Sequence, residues 1–173
     1  MKPYIAALCC FAIVFSIFSC GTNNSESLGS GTVWSPTKKD LSSRNNLEEL
    51  DLSENNISGI SKGIGKLKKL KYLNLRSNRI TSLPAEIEEL KMLTKINLAK
   101  NEIAEFPEAL LKLENIQEID LRYNKLATIP QGIGDLKNLH TLYLNGNNID
   151  PANQSQLRDW LPKTKLVFGS GAK

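Results

Sequence analysis

One histidine and three cysteines are the residues of this chain best suited to catalysis or metal binding. Their placement argues against both. His140 is the lone imidazole, so a Ser-His-Asp arrangement would have to be built around it. Its surroundings match none of the motif contexts such nucleophiles occupy. Cys9, Cys10 and Cys20 all lie in the first twenty residues. The body of the chain therefore has no thiol nucleophile, no disulfide framework and no N/S ligand set for zinc. No Gly-rich phosphate loop with its Lys-Ser/Thr ending occurs. Gly63-Ile64-Gly65 and Gly132-Ile133-Gly134 recur at equivalent positions and are expected to be turn glycines. The expectation is a non-enzyme with no cofactor and no metal.

The charge balance narrows the partners. Twenty-two basic residues face 18 acidic ones, for a formal charge of +4 over 173 residues. That excludes a polybasic nucleic-acid tail and an acidic disordered tail. One domain is the natural size for this length. Leu (26 residues) and Asn (17) supply a quarter of the chain. So heavy a use of Asn beside Leu departs from average composition and needs a structural cause.

The first cysteines belong to an address. Lys2 precedes an apolar run from Tyr4 to Phe18. The run is short for a membrane span and suits a signal-peptide core. It ends in Ile17-Phe18-Ser19-Cys20, which resembles the lipobox of bacterial lipoproteins, with Phe18 larger than the usual residue there. The resemblance implies a signal peptide over 1–19, cleavage before Cys20 and a lipid on Cys20. Ordinary secretory cleavage and an uncleaved anchor are the other readings of the same segment. Residues 20–33 follow, mostly Gly, Ser, Asn and Thr, and are expected to be a flexible tether.

A period of 23 residues organises the rest. Asn55, Asn78, Asn101, Asn124 and Asn147 are evenly spaced, and the same frame surrounds each. The five copies are LEELDLSENNI, LKYLNLRSNRI, LTKINLAKNEI, IQEIDLRYNKL and LHTLYLNGNNI. Between them run ISKGIGKL, LPAEIEEL, FPEALLKL and IPQGIGDL. The pattern L-x-x-L-x-L-x-x-N-x-I-x-x-L-P-x-x-I-x-x-L resembles the 23-residue class of leucine-rich repeats. The resemblance covers 47–149 and implies an α/β solenoid, a horseshoe arc. It would have a short parallel sheet inside the arc, helical or 3-10 turns outside it, and helical caps. L-x-L then forms a strand with its leucines inward. The recurring Asn, with two donors and an acceptor, serves buried turn backbone. Pro84, Pro107 and Pro130 suit helix starts, and Ser61 is expected to cap in the repeat that lacks Pro.

A solenoid exposes its core at both ends. Residues 34–46 are expected to form the N-terminal cap, with Ser35-Pro36 opening a helix and Trp34 on the Ile57 column. Residues 150–168 are expected to form the C-terminal cap. There Asp150-Pro151 starts a helix bearing Leu157, Trp160 and Leu161, and an edge strand follows at 166–168. Residues 169–173 form a tail.

What remains is surface. Frame positions 3, 5, 7 and 8 are expected to point out of the sheet on its concave side. They display Tyr72, Arg76, Lys95, Lys100, Arg122, Tyr123 and Tyr143, of which Tyr and Arg are types enriched at binding hot spots. The face is zoned: acidic in the first coil, basic in the second and third, mixed in the fourth. That pattern suits a protein partner better than a uniformly anionic nucleic acid. The expected function is non-catalytic protein binding by a lipid-anchored protein of the bacterial envelope, at the outer membrane or cell surface. The alternative is a structural or assembly factor acting by packing or self-association.

Overall fold

The computed structural model describes residues 32–35 and 47–169. The expected signal peptide, Cys20 and the part of the expected N-terminal cap at 36–46, with its short helix ending near Arg44, lie outside the described residues. Among those described, β2 (Glu49–Asp51), β4 (Tyr72–Asn74), β5 (Lys95–Asn97), β6 (Glu118–Asp120), β7 (Thr141–Tyr143) and β8 (Lys165–Val167) form one parallel sheet in that order. Glu49, Tyr72, Lys95, Glu118 and Thr141 stand side by side, so the sheet register is the sequence period. The step from Thr141 to Lys165 is one residue longer. The α-helix Pro151–Trp160 occupies that last connection in place of a repeat.

Alternation along each strand decides what is buried. Leu73, Ile119 and Leu142, at the strand centres, are completely buried, as are the following Leu75, Leu98 and Leu121. The return path of each coil is a 3-10 helix: Lys62–Lys66, Ala85–Glu89, Glu108–Lys112 and Gln131–Asp135. Each buries one apolar residue in the same core, Ile64, Ile87, Leu110 and Ile133. The three prolines sit just before their helices with extended ψ, as a segment entering a tight helix requires. Ser61 takes the same backbone position, but its hydroxyl caps nothing and lies buried without a partner. Its main chain does the work instead: Ser61 donates its N–H to Trp34.

The Asn ladder explains the composition. Asn101 accepts the N–H of Ile80 through Oδ1 at 3.0 Å. Its Nδ2 donates to Leu75 of the preceding coil and to Leu98 of its own. Asn78, Asn124 and Asn147 repeat this three-way bridge. Each amide thus ties two coils at the turn that follows the strand. The Asn55 side chain makes no such bridge: its Nδ2 donates to Ser53, and the Asn55 N–H donates to Asn78 Oδ1.

Three further expectations are corrected. Thr32 and Val33, the last positions of the expected tether, belong to strand β1 (Thr32–Trp34). β1 pairs in parallel with β3 (Ile57–Ile60), an unforeseen strand, in a separate two-stranded sheet. Trp34 therefore stands opposite Ile60 and not Ile57: the pairing is already two residues off the repeat spacing at Thr32–Ile57, and an irregularity between Thr32 and Val33 adds a third. Gly65 and Gly134 are not turn glycines. A Cβ on Gly65 would meet the Glu86 carbonyl at 2.8 Å, and one on Gly134 the Trp160 carbonyl at 3.2 Å. They permit neighbouring backbones to approach.

In the C-terminal cap, Asp150 caps the helix through Ala152 N–H, and β8 at Lys165–Val167 supplies the expected edge strand. Leu157 is completely buried and Leu161 nearly so, whereas Trp160 is only half-buried. The aliphatic residues, more than the indole, cover the last coil.

Candidate binding face

Two devices set the geometry of the exposed face. The first is at frame position 5, where the side chain closes the strand. Asp51, Asn74, Asn97 and Asp120 each accept the N–H of the residue two further on. This is an Asx turn, which short polar side chains form readily. The column is therefore a set of local turn locks, with Tyr143 as its exception. The second device is at position 8. Glu54, Ser77, Lys100, Tyr123 and Gly146 all have positive φ, from 55° to 76°. Only the last is glycine. The chain leaves each strand through a left-handed residue, whose side chain stands at the rim of the sheet.

The fourth and fifth coils use both devices at once. Asp120 is only 4% exposed. Its carboxylate accepts from Arg122 Nε at 2.9 and 3.0 Å, from Nη2 at 2.6 Å and from the Arg122 backbone at 3.1 Å. That planar fork is geometrically matched to a carboxylate. The hydrogen bonds to Asp120 hold the Arg122 guanidinium further toward its charged form, against the opposing effect of burial. The guanidinium lies 5.0 Å from the Tyr143 ring centre, in cation–π contact. Tyr123, next along the chain, is 55% exposed. Its ring rests on Gly146, where a Cβ would sit 2.4 Å from Cδ1. An exposed aromatic is thus held out by a left-handed backbone and seated on a glycine.

The other expected face residues divide by their neighbours. Lys95 reaches Glu118 at 3.5 Å across the sheet. Tyr72 is half-buried with a hydrogen bond to the Asn97 side chain. Burial pushes its phenol up, the Asn97 bond works against this, and the carboxylates of Asp51, Glu118 and Glu49 add to the rise. Tyr72 is accordingly a neutral hydroxyl at physiological pH. Burial also raises Asp51, but hydrogen bonds from Ser53 and Asn74 outweigh it and leave the carboxyl below its ordinary range. Arg76 and Lys100 are exposed and form no ion pair among the described residues. Ala99, at frame position 7 and so expected to face outward, is buried in the turn that Asn97 closes through the Ala99 N–H.

The structure therefore brings Arg122, Tyr123 and Tyr143 into one cluster and leaves Arg76 and Lys100 separate from it. Sequence reasoning placed Asp120 and Gly146 on the face without assigning them a role and missed the buried Asn153. Asn153 bridges Ile129 N–H and C=O from the cap helix. Only Gly146 left a trace in the sequence, as the lone glycine in a column that needs positive φ. His140 is exposed, as expected, and only its main chain bonds to its neighbours. Among the described residues no group of three or more His, Cys, Asp or Glu is placed to hold a metal, and no helix is long and apolar enough to cross a membrane.

Parallel strands stacked at a 23-residue register, 3-10 returns and an Asn ladder define a leucine-rich-repeat solenoid. The family model described as leucine-rich repeat region matches residues 30–157. The chain belongs to the leucine-rich-repeat family. Among solved structures, the Leptospira interrogans LRR protein LIC12759 is similar, with a TM-score of 0.62 and 33% identity over 72% of this chain. The match spans 38% of that protein's length. No curated protein matches. Members of this family are typically non-catalytic, and their repeat domains generally bind protein partners.

Proposed function

We propose that this chain is a protein-binding module of the bacterial envelope, anchored by a lipid on Cys20. It captures its partner on the sheet face around Arg122, Tyr123 and Tyr143. One observation carries the binding reading: Tyr123 is more than half exposed while its backbone is left-handed. A bulky residue in that conformation is costly, and neither burial nor a turn requirement accounts for choosing it over Gly or Asn. Beside it the Arg122 fork is already ordered by Asp120 and Tyr143. A preordered aromatic and guanidinium lose little entropy on binding, which favours affinity.

The anchor rests on Ile17-Phe18-Ser19-Cys20 after its apolar run. Feeding cells a clickable fatty acid should label the wild type and leave Cys20→Ala unlabelled; equal labelling would remove the anchor from the reading. The binding site is tested by capture of proteins from envelope extract and from extracellular fluid. Tyr123→Asn should weaken capture, and the outer-side control Glu88→Ala should preserve it. Loss of capture with Glu88→Ala and its retention with Tyr123→Asn would place the site elsewhere.

A further inference from the structure

Exposed Glu49 and Asp51 leave the first coil of this face acidic, and beside them the charges at frame positions 7 and 8 that form no ion pair among the described residues make an ordered row. Lys95 is engaged with Glu118, and Arg122 with Asp120. Glu54, Arg76 and Lys100 are exposed and have no ion-pair partner among the described residues. They occupy successive coils, at frame positions 7 and 8 along one rim, and Tyr123 continues the row on the fourth coil. Three of the four are held outward by left-handed backbone. The row therefore reads acid, base, base, aromatic, one side chain per coil.

Coils stack at about 4.8 Å, so four of them span on the order of 14 Å. An extended chain advances about 3.3 Å per residue, so some five residues cross this row. We infer that the occupant of the rim is an extended segment of a partner protein, about five residues long, with the complementary order. It would carry a basic residue at one end, two acidic residues centrally and an apolar or aromatic residue at the other end. Because the row is asymmetric, the segment has a preferred direction. Reversal keeps the central pairing but leaves Glu54 facing an apolar group and sets the basic residue on Tyr123, so the reversed segment binds more weakly. This inference rests on the binding face proposed above and specifies what it selects.

The test is selection from a displayed library of random heptapeptides on the full chain, repeated on Arg76→Glu/Lys100→Glu and on Tyr123→Asn. The double variant is expected to fold: both side chains are exposed, and Glu54 already occupies the same left-handed position as Lys100 with φ 60°. A thermal melt verifies this. The wild type should enrich peptides with a central acidic pair followed by an apolar residue. The double variant should enrich a basic pair at the same place, and Tyr123→Asn should lose only the apolar preference. A resynthesised acidic peptide should bind the double variant about tenfold or more weakly than the wild type. If wild type and double variant enrich the same peptides, the charge row selects nothing and the inference fails. If Tyr123→Asn alone changes the selection, the binding face stands without the inference. If no variant changes it, both fall.

Discussion

At the residue scale, Tyr123 and Gly146 form a pair that sequence alone could not show. In the repeat frame they occupy the same column one coil apart, and the column's left-handed backbone is invisible in Glu54, Ser77 and Lys100. A left-handed Tyr costs roughly 1–2 kcal/mol, which Asn largely avoids. Tyr123→Asn should therefore leave the melting temperature unchanged or raise it while weakening capture. Gly146→Ala places a methyl against the Tyr123 ring at φ 76° and should destabilise by about 1–2 kcal/mol. Adding Tyr123→Asn should recover the part due to the ring contact, a coupling that a double-mutant cycle reads directly. Arg122 carries the opposite expectation to a free surface arginine. Removing it strips three hydrogen bonds from the buried Asp120, so Arg122→Ala should cost about 1–3 kcal/mol in a urea melt. A midpoint equal to wild type would mean that solvent replaces the fork. Frame spacing placed Asp120 outward with its column. Its burial arises because Arg122 folds back over it, a side-chain event the period does not encode.

At the element scale, the ladder and the cap separate what the pattern predicts from what packing decides. The Asn column was legible because its period is unbroken, and the three-way bridge gives that period its cause. Asn101→Leu strands the Ile80 N–H and the Leu75 and Leu98 carbonyls. A loss of about 3 kcal/mol or more is expected. Asn55→Ala removes only the bond to Ser53 as a donor and should cost about 1 kcal/mol or less. Equal losses at the two positions would mean the amide serves its own turn rather than the coil before it. The cap helix was equally legible from Asp150-Pro151 and the spacing of its apolar residues. The ranking of those residues was not, because ring size in a sequence says nothing of depth. Leu157→Ala should cost about 2–5 kcal/mol and Trp160→Ala about 1–2 kcal/mol, since the indole is only half-buried. The first strand was misplaced for a related reason. β1 pairs outside the repeat frame, with β3 of a second sheet, and no 23-residue count locates it.

At the scale of the whole molecule, each coil contacts only its neighbours, and within the repeats the inter-coil bonds recur at fixed sequence offsets. Ladder amides reach back 21 and 26 residues, strands pair at 23, and rim ion pairs such as Lys71–Glu48 and Lys125–Glu102 bridge at 23. A deletion of one whole period preserves all these offsets. Removing residues 93–115 joins Met92 to Ile116, so that Asn124 meets Ile80 in the place of Asn101, and Glu118 stands beside Tyr72. The shortened chain should fold cooperatively with a lower melting point, since one coil and two interfaces are replaced by a single interface. Removing residues 93–114 instead, one residue fewer, shifts every later strand by one position. That turns the Leu face outward and displaces each Asn from its acceptor and donors, so no ordered sheet should remain beyond the junction. Circular dichroism and amide exchange on the two deletions check this. If the 22-residue deletion folds as well as the 23-residue one, the coils are held by general apolar burial and not by register. The whole-period deletion also removes Lys95 and Lys100 and brings the Tyr123 coil directly beside that of Arg76. Aromatic-dependent capture should persist in that protein, while selection for a second acidic residue should disappear.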